Sequence, residues 1–285
     1  MRRRGTHERH RGPAKILKMS APSTQNQTTQ IHSSAVISPR AFIGEGCRIG
    51  PYVVIGDEVF LGNGVIVDSH CVIDGRTRIG DESHLYPFVS IGLAPQDLKF
   101  AGEETETEIG SRTRIREFVT VHRGTKGGGG ITKVGDDCFL MAQAHVAHDC
   151  LIGNNVIMAN AATLAGHVSV EDGANIGAYS GVHQFCRVGR EAYIGGYSVV
   201  VKDALPFALT VGNHARCYGI NKVGVRRRGY SRETIAALHH AFHLLLSSKL
   251  NTTQALERIR EEIENIPEVD ELVHFVESSK RGVVK

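Results

Sequence analysis

Read in steps of six from Ile31, the chain places an aliphatic residue at Ile31, Ile37, Ile43, Ile49, Ile55, Leu61, Val67, Ile73, Ile79, Leu85 and Ile91. The register breaks and returns at Ile109, Ile115 and Val121. It breaks again at a glycine run and resumes at Val134, Leu140, Val146, Ile152, Met158, Leu164, Val170, Ile176, Val182, Val188, Ile194 and Val200. Four residues after these stand small or modest residues, such as Ala35, Cys47, Cys71, Ser83, Cys138, Ala144, Cys150 and Cys186. Glycine often follows the aliphatic residue directly, as at Gly44, Gly50, Gly135 and Gly153. A period of six fits neither a helix, at about 3.6, nor a half-buried strand, at about 2. It fits a solenoid of short parallel strands with a corner every six residues. Three edges make a coil of about 18 residues, stacked at roughly 4.8 Å. The aliphatic residue fills the narrow interior, the small residue sits at the inner corner, and glycine is expected to permit the bend.

Charge is uneven along the chain. The formal net charge is +3, but residues 1–18 hold seven Arg or Lys against one Glu, hence +6, which leaves the remainder at −3. No basic stripe of the kind nucleic-acid binding needs is present, and the leader has no apolar run long enough for a signal peptide or a membrane span. Residues 1–30 read as a basic and polar leader, with translation expected to start at Met19. Five of the six cysteines occupy the small-residue slot. They read as packing residues rather than disulfides or ligands, which suits a reducing cytoplasm. The solenoid is expected over 31–211, and 212–285 reads as a linker and a helical domain.

Two loops interrupt the repeat, at about 93–107 and 126–133. Solenoid insertions often form the binding face, and in the first loop Gln96, Asp97 and Lys99 are the residues best able to contact a ligand; a solvated loop is the other reading. The second, with Gly127 to Gly130, lacks the ending of a phosphate-binding P-loop and reads as a flexible loop. Between and beyond the loops the histidines gather. His145 and His148 are three apart, and His167 lies 19 beyond His148, near one edge on adjacent coils. His122 and His183 take the second place of their hexads, pointing away from the packed interior. Two chemistries compete: one histidine as general base with neighbours holding substrate, or three histidines holding zinc. Asp149 can orient His148 if a corner bends it round, since in a straight strand the two side chains point oppositely.

After the hexads end near Leu205–Pro206, Ser231 reads as a helix N-cap, with Ile235, Leu238, Phe242 and Leu245 at helical spacing. A second helix begins near Thr252, and Pro267 opens a third. Arg226, Arg227 and Arg228 read as a phosphate or acidic-partner site, or as a charged face.

Several phrases taken in order carry a resemblance: Gln96-Asp97-Leu98-Lys99, Val121-His122-Arg123-Gly124-Thr125, Ala144 to Cys150, Leu164 to Ser169, Val182-His183-Gln184-Phe185, Gly212 to Ala215, and Arg227-Arg228-Gly229. With the hexads and both loops, residues 31–285 resemble the bacterial UDP-N-acetylglucosamine acyltransferases. The resemblance implies a mostly β fold, a left-handed parallel β-helix of hexapeptide repeats with a C-terminal α-helical domain, although strand crossovers are normally right-handed. It implies a cytoplasmic homotrimer with sites between subunits. The reaction it implies is the first step of lipid A synthesis: a (3R)-3-hydroxyacyl group moves from acyl carrier protein to the 3-hydroxyl of UDP-N-acetylglucosamine, with no cofactor and no metal. By the same resemblance His148 is the general base, Asp149 assists it, and the Gly166 N–H stabilises the oxyanion. Gln96, Asp97 and Lys99 meet the sugar. His122, His145, His167, His183 and Gln184 line the groove, and Asn221, Arg227 and Arg228 meet the nucleotide or phosphopantetheine end. Gly196 stands where a bulkier residue shortens the acyl tunnel in some relatives, which implies a longer chain here. Relatives often carry Glu where this chain has Val223, a position facing the uracil, and valine accepts no hydrogen bond.

Other readings make different demands. A hexapeptide-repeat zinc carbonic anhydrase requires stoichiometric metal. An acceptor with a 3-amino group in place of the hydroxyl fits the same base. The N-acyltransferase later in the pathway is expected to carry a further amino-terminal domain. A purely structural solenoid leaves the convergence of polar loops and histidines without a purpose.

Overall fold

The computed structural model describes residues 28–285; the expected start site at Met19 and all but residues 28–30 of the expected leader lie outside them, and the first strand already opens at Gln30. Among those residues the hexads form a left-handed parallel β-helix of three sheets, with eleven, nine and eight strands. Most strands are two residues long and end on the aliphatic residue of the repeat. Partners in neighbouring coils are eighteen residues apart, as Ile49 with Val67 and Ile55 with Ile73. The first loop stretches one step to thirty, Ile79 against Ile109, and the second to twenty-five, Ile109 against Val134. Beyond each insertion the ladder resumes its register, with one shift between Ile91 and Leu93. The aliphatic side chains form one continuous buried core from Cys47 to Ala204. At the open first coil Ile31 is 52 % exposed, because no coil precedes it among the described residues.

The small-residue slot has a second use. Cys47, Cys71, Cys138 and Cys150 direct their thiols at carbonyls of the next coil at 3.0–3.2 Å, and Ser83, Thr113 and Ser180 do so with hydroxyls. Burial pushes the thiols of Cys71 and Cys150 up to about 12, so they are inert packing groups.

The expected role of glycine needs correction. The left-handed backbone conformation falls three residues after the aliphatic one, where side chains as large as Tyr52 (φ 57°), Phe88 (65°) and Tyr179 (57°) adopt it. The glycine directly after the aliphatic residue serves close approach instead. A Cβ on Gly135 would lie 2.5 Å from the Gly153 carbonyl oxygen, and one on Gly153 would lie 2.2 Å from the Asp172 carboxylate. The coils stack too tightly there for a side chain.

An antiparallel hairpin, Ala208–Gly212 with Ala215–Ile220, closes one sheet. Four helices follow: α1 (Lys222–Arg227), α2 (Arg232–Leu246), α3 (Thr252–Glu262) and α4 (Pro267–Glu277). The Ser231 side chain caps α2 by accepting from the Thr234 N–H. The helices share a second core around Phe207, Leu238, Phe242, Ile259 and Leu272. Arg187 fastens this unit to the solenoid: it donates to the Phe275 carbonyl at 2.7 Å, pairs with buried Asp203 at 3.1 Å, and lies over the Phe275 ring. The hairpin and α1 were not anticipated from the sequence.

Candidate active site

One corner of the solenoid assembles the chemistry. Val146 ends a strand, and three residues later Asp149 takes φ 59°. That turn brings the Asp149 carboxylate back onto its own neighbour, so His148 Nδ1 meets Asp149 Oδ2 at 2.7 Å. The Asp149 side chain is wholly buried, while His148 keeps a small exposed edge. With Nδ1 engaged by a carboxylate, the imidazole presents Nε2 outward as its free nitrogen.

The next coil supplies the floor. Gly166 stands beneath the His148 ring; a Cβ there would fall 2.5 Å from Cε1 and 2.7 Å from Nε2. Glycine is therefore required for the imidazole to lie where it does. The Gly166 N–H takes no part in the strand ladder and has no protein acceptor among the described residues. His167, at φ 63°, stacks on Phe185 at 4.4 Å and meets His148 edge-on at 5.1 Å. Its Nδ1 lies 3.7 Å from Asp149 Oδ2. Burial lowers the His167 pKa, with Asp149 opposing, His148 lowering it further, and Asp97 opposing.

His122 and His145 form a second pair on adjacent coils, edge-on at 5.1 Å. His145 shares a hydrogen bond with Thr120 at 2.7 Å through Nδ1. His122 departs from expectation. It points away from the solenoid interior and is nevertheless buried, with 6 % exposure and no partner for Nδ1 among the described residues. The facing strand shifts register between Ile91 and Leu93, so that Leu93 pairs with His122. Burial, then His145 and His148, pull the His122 imidazole down to about 4.

The zinc reading can be tested on this geometry. His148, Asp149 and His167 bring one ligand atom each within 4.8 Å of one another. Asp149 Oδ2, however, already accepts from the Thr125 hydroxyl at 2.6 Å and meets His148 Nδ1 at 2.7 Å. His167 Nδ1 stands 3.7 Å off, beyond hydrogen-bond distance; the cluster offers two imidazoles and one carboxylate already engaged by Thr125 and His148, not the three histidines of the zinc reading.

Comparison with known proteins decides the family. An acyl-[acyl-carrier-protein]–UDP-N-acetylglucosamine O-acyltransferase from Thermodesulfovibrio yellowstonii is 48 % identical over 256 residues, covering 90 % of this chain and 99 % of that protein. The chain belongs to the UDP-N-acetylglucosamine O-acyltransferase family. The family profile described as UDP N-acetylglucosamine O-acyltransferase, domain 2, matches residues 203–284, and the bacterial transferase hexapeptide profile matches 131–166. The solved LpxA from Acinetobacter baumannii is 42 % identical with a TM-score of 0.87, covering 90 % of this chain and 99 % of that one. LpxA of Bacteroides fragilis, titled a UDP-N-acetylglucosamine acyltransferase, is 40 % identical with a TM-score of 0.88, covering 90 % and 100 %.

The remaining candidates of this acyltransferase fold lie apart from His148 in their hydrogen bonds. Asn221 caps α1 by accepting from the Gly224 N–H at 3.0 Å, and Arg228 pairs with Glu191 at 3.2 Å. Arg227 and Val223 are exposed on α1. His183 and Gln184 are exposed, and His183 Nδ1 lies 3.4 Å from the Arg281 guanidinium. Gly196 is exposed, and a Cβ there would lie 3.3 Å from the Ala178 backbone oxygen, a tight contact that asks for a small shift. Gln96 and Lys99 are exposed, and Asp97 accepts from the Lys99 N–H at 3.0 Å. Sequence reasoning missed Thr125, Gly128 and Thr132, which surround Asp149. The second loop, expected to be flexible, forms a short 3-10 turn (Lys126–Gly128) over that carboxylate.

Proposed function

We propose that the chain moves a (3R)-3-hydroxyacyl group from acyl carrier protein to the 3-hydroxyl of UDP-N-acetylglucosamine, the first step of lipid A biosynthesis, with His148 as general base. The observation that carries the mechanism is the Asp149–His148 contact with Gly166 beneath the ring. Nε2 of His148 takes the proton from the sugar hydroxyl as that oxygen attacks the thioester carbonyl. The new C–O bond leaves an oxyanion, which accepts from the Gly166 N–H. Collapse breaks the C–S bond, and the imidazolium returns its proton to the departing thiolate. Asp149 holds the tautomer and stabilises the imidazolium. The six cysteines are free thiols, five of them buried, and none is used as a nucleophile, so transfer is direct within a ternary complex.

Gln96, Asp97 and Lys99 hold the sugar, and His122, His145, His167, His183 and Gln184 line the groove. Neutral His122 serves there as a hydrogen-bonding group rather than a cation. Asn221, Arg227 and Arg228 meet the nucleotide or phosphopantetheine end. Since these last groups lie away from His148 in one chain, we assign them to sites completed by neighbouring subunits of a homotrimer. Free buried thiols support a reducing cytoplasm, and among the described residues no helix is long and apolar enough to cross a membrane. His148→Ala tests the base: transfer falls by about 10³-fold or more while the fold is kept. Turnover within tenfold of wild type overturns the assignment.

A further inference from the structure

Asp149 is held by a loop from the preceding coil. The Thr125 N–H donates to Oδ1 at 2.8 Å, and the Thr125 hydroxyl donates to Oδ2 at 2.6 Å. The Asp149 N–H in turn donates to the Thr132 hydroxyl at 2.7 Å. The remaining wall is Gly128, where a Cβ would lie 2.0 Å from the carboxylate carbon and 2.1 Å from Oδ2. The amides of Gly128 and Gly130 both donate to the Thr125 carbonyl, at 3.0 and 2.9 Å. These bonds tie the glycine turn to Thr125 around the carboxylate.

We propose that Thr125 is a positioning residue for acyl transfer, acting through Asp149 on His148, and that residue 128 must be glycine because the Asp149 carboxylate fills the space a side chain would take. The proposal rests on the reading of His148 as base. Two histidines flank the same oxygen: His148 Nδ1 at 2.7 Å and His167 Nδ1 at 3.7 Å. A carboxylate gripped at both oxygens by one residue cannot rotate between them. With the hydroxyl bond removed, Oδ2 is free to swing toward His167. His148 then loses the contact that fixes its tautomer, and Nε2 no longer points as the acceptor. Thr125 touches no substrate in this scheme; it decides which imidazole Asp149 serves.

The test uses full-length Thr125→Val, Thr125→Ser and Gly128→Ala, with His148→Ala in parallel. The readouts are kcat and KM for UDP-N-acetylglucosamine, and the thermal midpoint. Thr125→Val is expected to lower kcat about 10- to 100-fold, the size of one lost hydrogen bond to a charged group, with KM within about twofold. Thr125→Ser restores the hydroxyl and is expected within about threefold of wild type, while Gly128→Ala falls with Thr125→Val. If Thr125→Val does not fold, Thr125→Ala carries the same expectation. Wild-type kcat in the folded Val or Ala variant overturns the proposal. Equal losses in the Ser and Val variants that track the thermal midpoint also overturn it, since they mark a structural role. Sustained turnover by His148→Ala overturns the base reading instead, whatever the Thr125 variants do.

Discussion

Acid should destabilise this fold through its buried and half-buried imidazoles, His122 most of all. His122 is buried with no partner for Nδ1 among the described residues, and its pKa falls from 6.5 to about 4, mainly by burial. The unfolded chain binds a proton near 6.5 and the folded chain does not. The stability contributed by burying a neutral His122 is therefore complete above that value, fades as the pH falls below it, and is lost by about pH 4. At about 1.4 kcal/mol per pH unit, the whole interval is worth on the order of 3 kcal/mol per chain. Between pH 7 and pH 5 the loss is about 2 kcal/mol. His122→Leu removes the titration and leaves no buried polar atom behind. His145, whose pKa is also lowered, owes that to burial and to His148, so its own contribution survives in the variant. Denaturant unfolding of both proteins at pH 7 and pH 5, at one protein concentration, isolates the difference. Wild type should lose about 2 kcal/mol more than His122→Leu. Equal losses would refute the reasoning and mean that water reaches His122 and protonates it in the folded state.

Two further perturbations follow from close contacts around the site. Gly166→Ala places a methyl 2.5 Å from His148 Cε1; the ring must shift, and kcat should fall about 100-fold, as measured at saturating substrate, with wild-type activity refuting the packing argument. Gly196→Met should shift preference toward shorter acyl chains by about tenfold or more in relative kcat/KM, because Gly196 is exposed and a side chain there meets only the Ala178 backbone, at 3.3 Å; an unchanged chain-length profile would place the acyl tail elsewhere.

The solenoid was legible because its interior is narrow. Every coil admits one aliphatic residue per edge, so the requirement repeats at fixed intervals and survives two insertions. The corner was less legible. The left-handed slot accepts tyrosine, aspartate and histidine alike, so nothing in its composition marks it, yet that conformation at Asp149 is what turns the carboxylate onto His148. The histidine cluster was visible by spacing alone, but the burial of His122 beside the register shift at Ile91–Leu93 was not, because the hexad count reveals neither. The clamp on Asp149 was hidden because a glycine run reads as freedom. Here Gly128 is small in order to be filled by its neighbour. At the carboxyl end the three long helices announced themselves by caps and apolar spacing. The short α1 did not, because Val223 and Gly224 within it are poor helix formers and its Asn221 cap was read as a ligand contact.

The most direct measurement is transfer of labelled 3-hydroxyacyl groups from acyl carrier protein to UDP-N-acetylglucosamine by metal-stripped enzyme, across a panel of chain lengths. The account predicts ester formation at the untreated rate, with one chain length preferred. No ester with any chain, or activity that returns only when zinc is added, would contradict it.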